Sequence, residues 1–223
     1  MSNQLQSDPV EKEFELERVI LFSDAVFAIA ITLLVIDIKW PDLPDDLRGV
    51  DMRHLFRPTI FGFMAFALSF FFIGRFWIVH LRLCRLLRKY DQGLIVRNLL
   101  FLFGIVIFPF AASGLSGHIR DEFMFPIYFY LGNITVVTLF HYLLCRYIIY
   151  TRPELAIEGE AMEKRYIYLR ARNQAFVIGM MFVAALTVSL LFHDHQVYVV
   201  YLCALTGVFL RLANKQLKKY RPA

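Results

Sequence analysis

An all-α membrane protein that crosses the bilayer six times, with N-terminus and C-terminus both cytoplasmic, is the architecture this sequence specifies. Of its 223 residues 58% are hydrophobic and 23 are phenylalanine, with a mean hydropathy of +0.54; ordinary soluble domains are less apolar and less aromatic. Six apolar segments follow one another at 18–38, 58–81, 94–113, 123–146, 174–192 and 196–213. Each approaches the roughly 20 residues that a helix rising about 1.5 Å per residue needs to span the hydrocarbon. Lys and Arg gather in alternate connections, which marks those connections as cytoplasmic.

The first span opens Arg18-Val19-Ile20-Leu21-Phe22-Ser23-Asp24 and runs on apolar to Ile38. The residues before Arg18 are polar and acidic, and the apolar run is too long for a leader's core and lacks a small-residue cleavage site, so no cleavable signal is expected. At about 100° per residue, Arg18, Phe22, Ala25, Ile29, Thr32 and Ile36 share one narrow stripe, while Ser23 and Asp24 fall away from it. Lys39-Trp40-Pro41 ends the helix at an interfacial tryptophan. A second helix is expected to start at Arg57-Pro58; it is crowded with phenylalanine and carries Arg75, Trp77 and His80. The third has Asn98 near its start and Pro109 near its end. Between the fourth and fifth spans, 150–173 reads as a solvated helix laced with opposite charges. No Gly-Pro-rich linker divides the chain, so 1–223 is expected to be one domain.

Orientation follows from the basic residues. Five lie in or beside the loop after span two, six after span four and five in the tail, against one after span three and none after span five. The first loop, with Lys39, Arg48, Arg53 and Arg57, argues mildly the other way, although four acids offset it. This distribution, rather than nucleic acid binding, accounts for the net charge of +5. Contact of the basic loops with anionic lipid headgroups is a natural secondary effect. Cys84, Cys145 and Cys203 are widely spaced and lack metal-ligand companions, so they read as small packing or loop residues.

Asp24 lies a turn inside a membrane helix, where an ionisable group marks a functional or architectural position. Either it is solvated at the interface, or it belongs to a buried polar latch with Ser23, for which Trp77, His80, Asn98 and Arg75 are candidate partners at the same depth. The stripe through Ile29, Thr32 and Ile36 reads, taken alone, as ordinary packing surface. His80 is of the residue type that titrates near neutrality, yet beside a carboxylate and a tryptophan it reads more simply as a fixed donor. His193 and His195 flank Asp194 in an outward turn where a weak metal site is conceivable. Ser23, Asp24 and His80 superficially form a hydrolase set, but no nucleophile elbow or zinc-protease motif accompanies them, so no enzyme, catalytic residue, metal or cofactor is expected.

The string Arg18-x-x-x-Phe22-Ser23-Asp24 at the head of a first membrane helix, followed by Ala25-Val26-Phe27-Ala28-Ile29-Ala30-Ile31-Thr32-Leu33-Leu34, resembles the signature of the transmembrane-protein-175 family, the endosomal and lysosomal potassium channels and their prokaryotic relatives. Trp77-x-x-His80 and Asn98 resemble the family's companions to Phe-Ser-Asp, and having one six-helix unit is similar to the prokaryotic branch. The resemblance implies a homotetramer in the cell membrane whose central pore is lined by helix 1, with Ile29 and Ile36 as apolar rings, Thr32 as a hydroxyl layer between them and Leu33 at its flank. It implies passive, potassium-preferring cation conduction, with potassium ions and the lipid bilayer as partners. The sequence holds no Thr-Val-Gly-Tyr-Gly filter, so selectivity would come from width, partial dehydration and the Thr32 hydroxyls. The alternatives are a proton-coupled secondary transporter using Asp24 and His80, and a membrane assembly protein without transport.

Overall fold

The computed structural model describes residues 9–36, 38–44, 46, 51–117, 125–191, 197–215, 217 and 220. Its main elements are α1 (Pro9–Leu33), α2 (Met52–Cys84), α3 (Gln92–Gly117), α4 (Phe125–Arg146), α5 (Ala161–Leu191) and α6 (Val197–Lys215). Four of these regions are long and apolar enough to cross a bilayer: Met52–Cys84, Gln92–Leu115, Phe125–Thr151 and Ala161–Leu191. In α1, Glu17, Arg18 and Asp24 interrupt the apolar run. His193 and His195, together with Lys218, Lys219 and Arg221 of the tail, lie outside the described residues.

Several helix limits differ from the sequence expectation. The start of the first helix is not among them: Pro9 opens a helix that runs on into the first span, as Ser7-Asp8-Pro9 suggests in the sequence, and a proline costs nothing there because the first-turn N–H is an orphan anyway. It stops at Leu33 rather than Ile38. Leu34, Val35 and Ile36 form a turn closed by short-range bonds, Ile36 N to Leu33 O at 3.2 Å and Ile38 N to Val35 O at 3.2 Å. The β-branched Val35, Ile36 and Ile38 propagate a helix poorly, and the carbonyl of Lys39 is taken by Thr59 Oγ1 of α2 at 2.9 Å. The second helix starts at Met52, not at Pro58, which sits inside it. Asp51 decides this, because its carboxylate accepts from Arg53 N at 2.9 Å and caps the helix, a service no side chain offers at Pro58.

The stretch 150–173 is not one helix. A π-helical turn (Tyr147–Thr151) and a short 3-10 turn (Pro153–Leu155) precede a reversal in which Gly159 (φ 82°) and Glu160 (φ 50°) adopt left-handed backbone. Only then does α5 begin, running through the charged residues into its apolar half. At its 31 residues it is about 46 Å long, so it overreaches the roughly 30 Å of hydrocarbon by about a third of its length, most of its charged beginning.

Two cores hold the helices together. In the apolar layer, Phe27, Ala30 and Leu34 of α1 meet Ile73 and Phe76 of α2, Phe101, Ile105 and Phe108 of α3, and Tyr130, Ile134 and Val137 of α4. Ring contacts run from Phe27 to Phe101 (5.9 Å), from Phe101 to Phe76 (6.3 Å), and on through Phe108 to Tyr130 (6.0 Å). The second core, built on Leu83, Leu86, Leu94, Leu144, Ile148, Leu155 and Ile167, closes one end. There the link after α2 pairs with the link before α5: Ile157 N donates to Leu86 O at 2.8 Å, and Arg88 N to Leu155 O at 2.8 Å. Tyr90 donates to the Glu15 carboxylate, so the start of α1 stands at that same end.

Within lipid, helices associate through close fit and not through escape from water. The α3–α4 seam depends on Gly104, where an added Cβ would stand 2.5 Å from Val137 Cγ2. Gly104→Val is therefore expected to lower the thermal stability of the purified protein by about 1–3 kcal/mol, read as an earlier melt in detergent, while Gly179→Val on α5, where nothing lies within 4 Å, leaves the seam intact.

Candidate functional site

The helical period gives α1 two unlike faces. Ser23, Phe27, Ala30 and Leu34 point inward and are almost wholly buried, between 1% and 2% exposed. The stripe expected from the sequence points outward: Arg18, Phe22, Ala25, Thr32 and Leu33 are exposed, as are Ile29 at 58% and Ile36 at 68%. Ile36 belongs to the turn after the helix, so its position on the stripe comes from that turn and not from an unbroken α-helical ladder. Thr32 Oγ1 lies 3.1 Å from Ala28 O and 2.9 Å from Ile29 O. Its single proton is thus directed at the backbone, and its oxygen lone pairs remain on the exposed face.

Behind that face, polar contacts fix the helix against its neighbours. Ser23 Oγ donates to Val19 O at 2.9 Å and accepts from Asn98 Nδ2 of α3 at 2.8 Å, with both side chains buried. Trp77 Nε1 of α2 donates to Asp24 Oδ1 at 2.9 Å at a more open position. Of the four partners weighed from the sequence, Asn98 and Trp77 meet the Ser23-Asp24 pair directly. Among the described residues, no hydrogen bond or ion pair joins Arg75 or His80 to Asp24. His80 is buried, stacked on Phe101 at 5.2 Å and tilted against Phe27 at 5.7 Å, with its Nε2 3.5 Å from Cys84 Sγ. Neither His80 Nδ1 nor Asn98 Oδ1 has a hydrogen-bond partner among the described residues, and both side chains line one small cavity beside Ser23.

Sequence reasoning missed His141. This buried α4 residue packs on Phe101 at 5.4 Å, opposite the contact made by His80, and lies 3.8 Å from Cys145 Sγ. The signal was present as a repeated spacing: His80-x-x-x-Cys84 and His141-x-x-x-Cys145 each set a thiol one turn beyond an imidazole. Cys84 and Cys145 are free and buried, whereas the side chain of Cys203 lies outside the described part. Among the described residues no group of three His, Cys, Asp or Glu side chains could hold a metal ion.

A bundle of lipid-length helices, with one helix face held by polar contacts from behind and its other face uncovered, defines a multi-pass α-helical membrane protein. More narrowly, residues 18–109 match the family model described as the endosomal/lysosomal potassium channel TMEM175. A potassium channel from Streptomyces collinus is 36% identical over 105 residues, covering 47% of this chain and 50% of that protein. The bovine endosomal/lysosomal proton channel TMEM175 is 26% identical over 96% of this chain and 47% of its own length. The chain thus spans about half the length of these curated relatives. Among solved structures, the crystal structure of a lysosomal potassium-selective channel TMEM175 homolog from Chamaesiphon minutus superposes with a TM-score of 0.68 at 26% identity, covering 90% of this chain and 98% of that one. A variant of the potassium channel MtTMEM175 shares the fold at a TM-score of 0.62 and 18% identity, covering 91% and 93%.

Ser23→Ala removes the acceptor of the Asn98 amide and leaves that buried group unpaired, at a cost of about 1–3 kcal/mol. Adding Asn98→Leu removes the stranded amide, so the double variant is expected to melt above Ser23→Ala alone. A strictly additive cycle in detergent melts would show that the two side chains do not interact energetically.

Proposed function

We propose that this chain is one subunit of a potassium-preferring cation channel. The full reading is a six-span subunit in the cell membrane with cytoplasmic termini, assembled as a homotetramer around an axis lined by α1, with 1–223 as a single channel domain. One observation carries it. The uncovered face of α1 holds Ile29, Thr32 and Leu33 and is continued by Ile36 of the turn that follows, while the opposite face is both apolar-packed and hydrogen-bonded. A helix oriented so firmly, yet presenting a stripe that carries a hydroxyl to nothing among the described residues, is suited to face other subunits, for which closed cyclic symmetry is the usual solution. The similar bacterial proteins are potassium channels and the mammalian ones proton channels, which supports passive cation flux as the activity.

In this reading Ile29 and Ile36 form apolar constrictions that close by dewetting, and Thr32 offers a ring of lone pairs to a partly dehydrated cation. Ser23, Asp24, Trp77, His80 and Asn98 touch no ion. They hold the rotation of α1, while Arg18 and Phe22 head the exposed stripe. Both Glu15 at the start of α1 and the basic links after α2 and α4 gather at one end of the bundle, which supports placing that end in the cytoplasm.

The test is flux into liposomes carrying the purified protein, in potassium, in sodium and under a proton gradient. Wild type is expected to pass potassium without proton coupling, and Ile29→Asn to raise flux while eroding the preference over sodium. Thr32→Val, which keeps the shape and removes the oxygen, is expected to reduce that preference several-fold without closing the pore. Flux that appears only under a proton gradient, or that Ile29→Asn leaves unchanged, would sink the assignment.

A further inference from the structure

Away from α1, a groove runs between the first turns of α3 and the last turns of α4, at the end where the links after α2 and before α5 pair. Its volume is about 430 Å³, within the range of small-molecule sites. Val96, Leu100, Phe140 and Leu143 form an apolar wall; all but Phe140 are among the exposed large hydrophobic residues. Above that wall stand two guanidinium groups, of Arg97 and Arg146.

Arg97 is set in place. Its Nη1 donates to Gly93 O at 2.9 Å, and its Cζ lies 3.9 Å from the centre of the Tyr147 ring. Asp91, which meets the same tyrosine, is already engaged: it accepts from Leu94 N at 2.7 Å and from Tyr147 Oη at 2.8 Å, and pairs with Arg152 at 3.6 Å. Arg97 and Arg146 accordingly have no carboxylate partner among the described residues. An apolar wall below two unpaired guanidiniums, at the basic end of a membrane helix pair, matches a molecule with an acyl chain and an anionic phosphate.

We propose that this groove binds one anionic phospholipid, its phosphate on Arg97 and Arg146 and its upper acyl chain along Val96, Leu100 and Leu143. The inference rests on α3 and α4 lying in a membrane and is independent of ion conduction, so its failure leaves the channel reading standing.

The full chain would be reconstituted in phosphatidylcholine vesicles doped with phosphatidylglycerol, then extracted and weighed by native mass spectrometry with its retained lipid. Wild type is expected to keep phosphatidylglycerol over phosphatidylcholine, and Arg97→Gln combined with Arg146→Gln to reduce that enrichment about tenfold. Arg146 is exposed and partnerless among the described residues, so Arg146→Gln alone folds and still lowers retention should the pair not fold. Unchanged enrichment in Arg146→Gln overturns the proposal. So does inorganic phosphate protecting Arg146 in detergent as well as the lipid does, which would make this a free-anion site. Disulfide cross-linking of two copies carrying Phe140→Cys, under a mild oxidant in pure phosphatidylcholine, would overturn it as well, by making the groove a subunit contact.

Discussion

The hydrogen bond from Asn98 to Ser23 settles which side of α1 looks into the bundle. In hydrocarbon a buried amide has no water to turn to, so rotating the helix would strand a donor at a cost larger than the gain from repacking a few methyl groups. With Ser23 inward, the helical period sends Phe27, Ala30 and Leu34 into the same core and leaves Ile29 and Thr32 outside. Trp77 reinforces the setting at the more open rim by donating to Asp24 Oδ1. One polar contact thus orients a helix whose stretch beyond Asp24, apolar almost all round, would not orient itself.

The rest of the bundle is arranged to make that contact rigid. Phe101 stands two positions beyond Leu99 on the helix that carries Asn98, and it is wedged between His80 and His141 as well as Phe27 and Phe76. α3 is therefore gripped from three sides one turn from its polar tie. Rings are suited to this role in lipid, since their edge-to-face contacts give directional attraction where area burial alone gives little.

Much of this was legible in the residues. The depth of Ser23 and Asp24, set against Trp77 and Asn98, was enough to suggest their partners, because few groups on other helices lay at a matching level. That Arg18, Phe22, Ala25, Ile29, Thr32 and Ile36 share one stripe was readable from helical spacing, but not that the stripe faces out of the bundle, since spacing alone reads it as packing surface. Helix ends were not. Asp51 as a cap for α2, and the early stop of α1 before its β-branched run, depend on local hydrogen bonds that hydropathy does not register. The break-up of 150–173 depends on left-handed backbone at Gly159 and Glu160, where charge patterning suggests an uninterrupted helix. His141 escaped notice because an imidazole amid apolar residues has no periodic signature, and only its matching of His80-x-x-x-Cys84 sets it apart.

The tight approach of α3 and α4 at Gly104 also has a bearing on how the protein is made. Because a lipid tail is as good a neighbour as leucine, nothing drives these two helices together until both are already in the membrane. Insertion and assembly are then separate events: the first is governed by hydrophobicity and the second by shape. A chain with a poorly shaped seam would pass the insertion machinery unchallenged and fail afterwards, as a membrane-resident but unassembled species, so quality control for this protein has to act within the bilayer rather than at the ribosome.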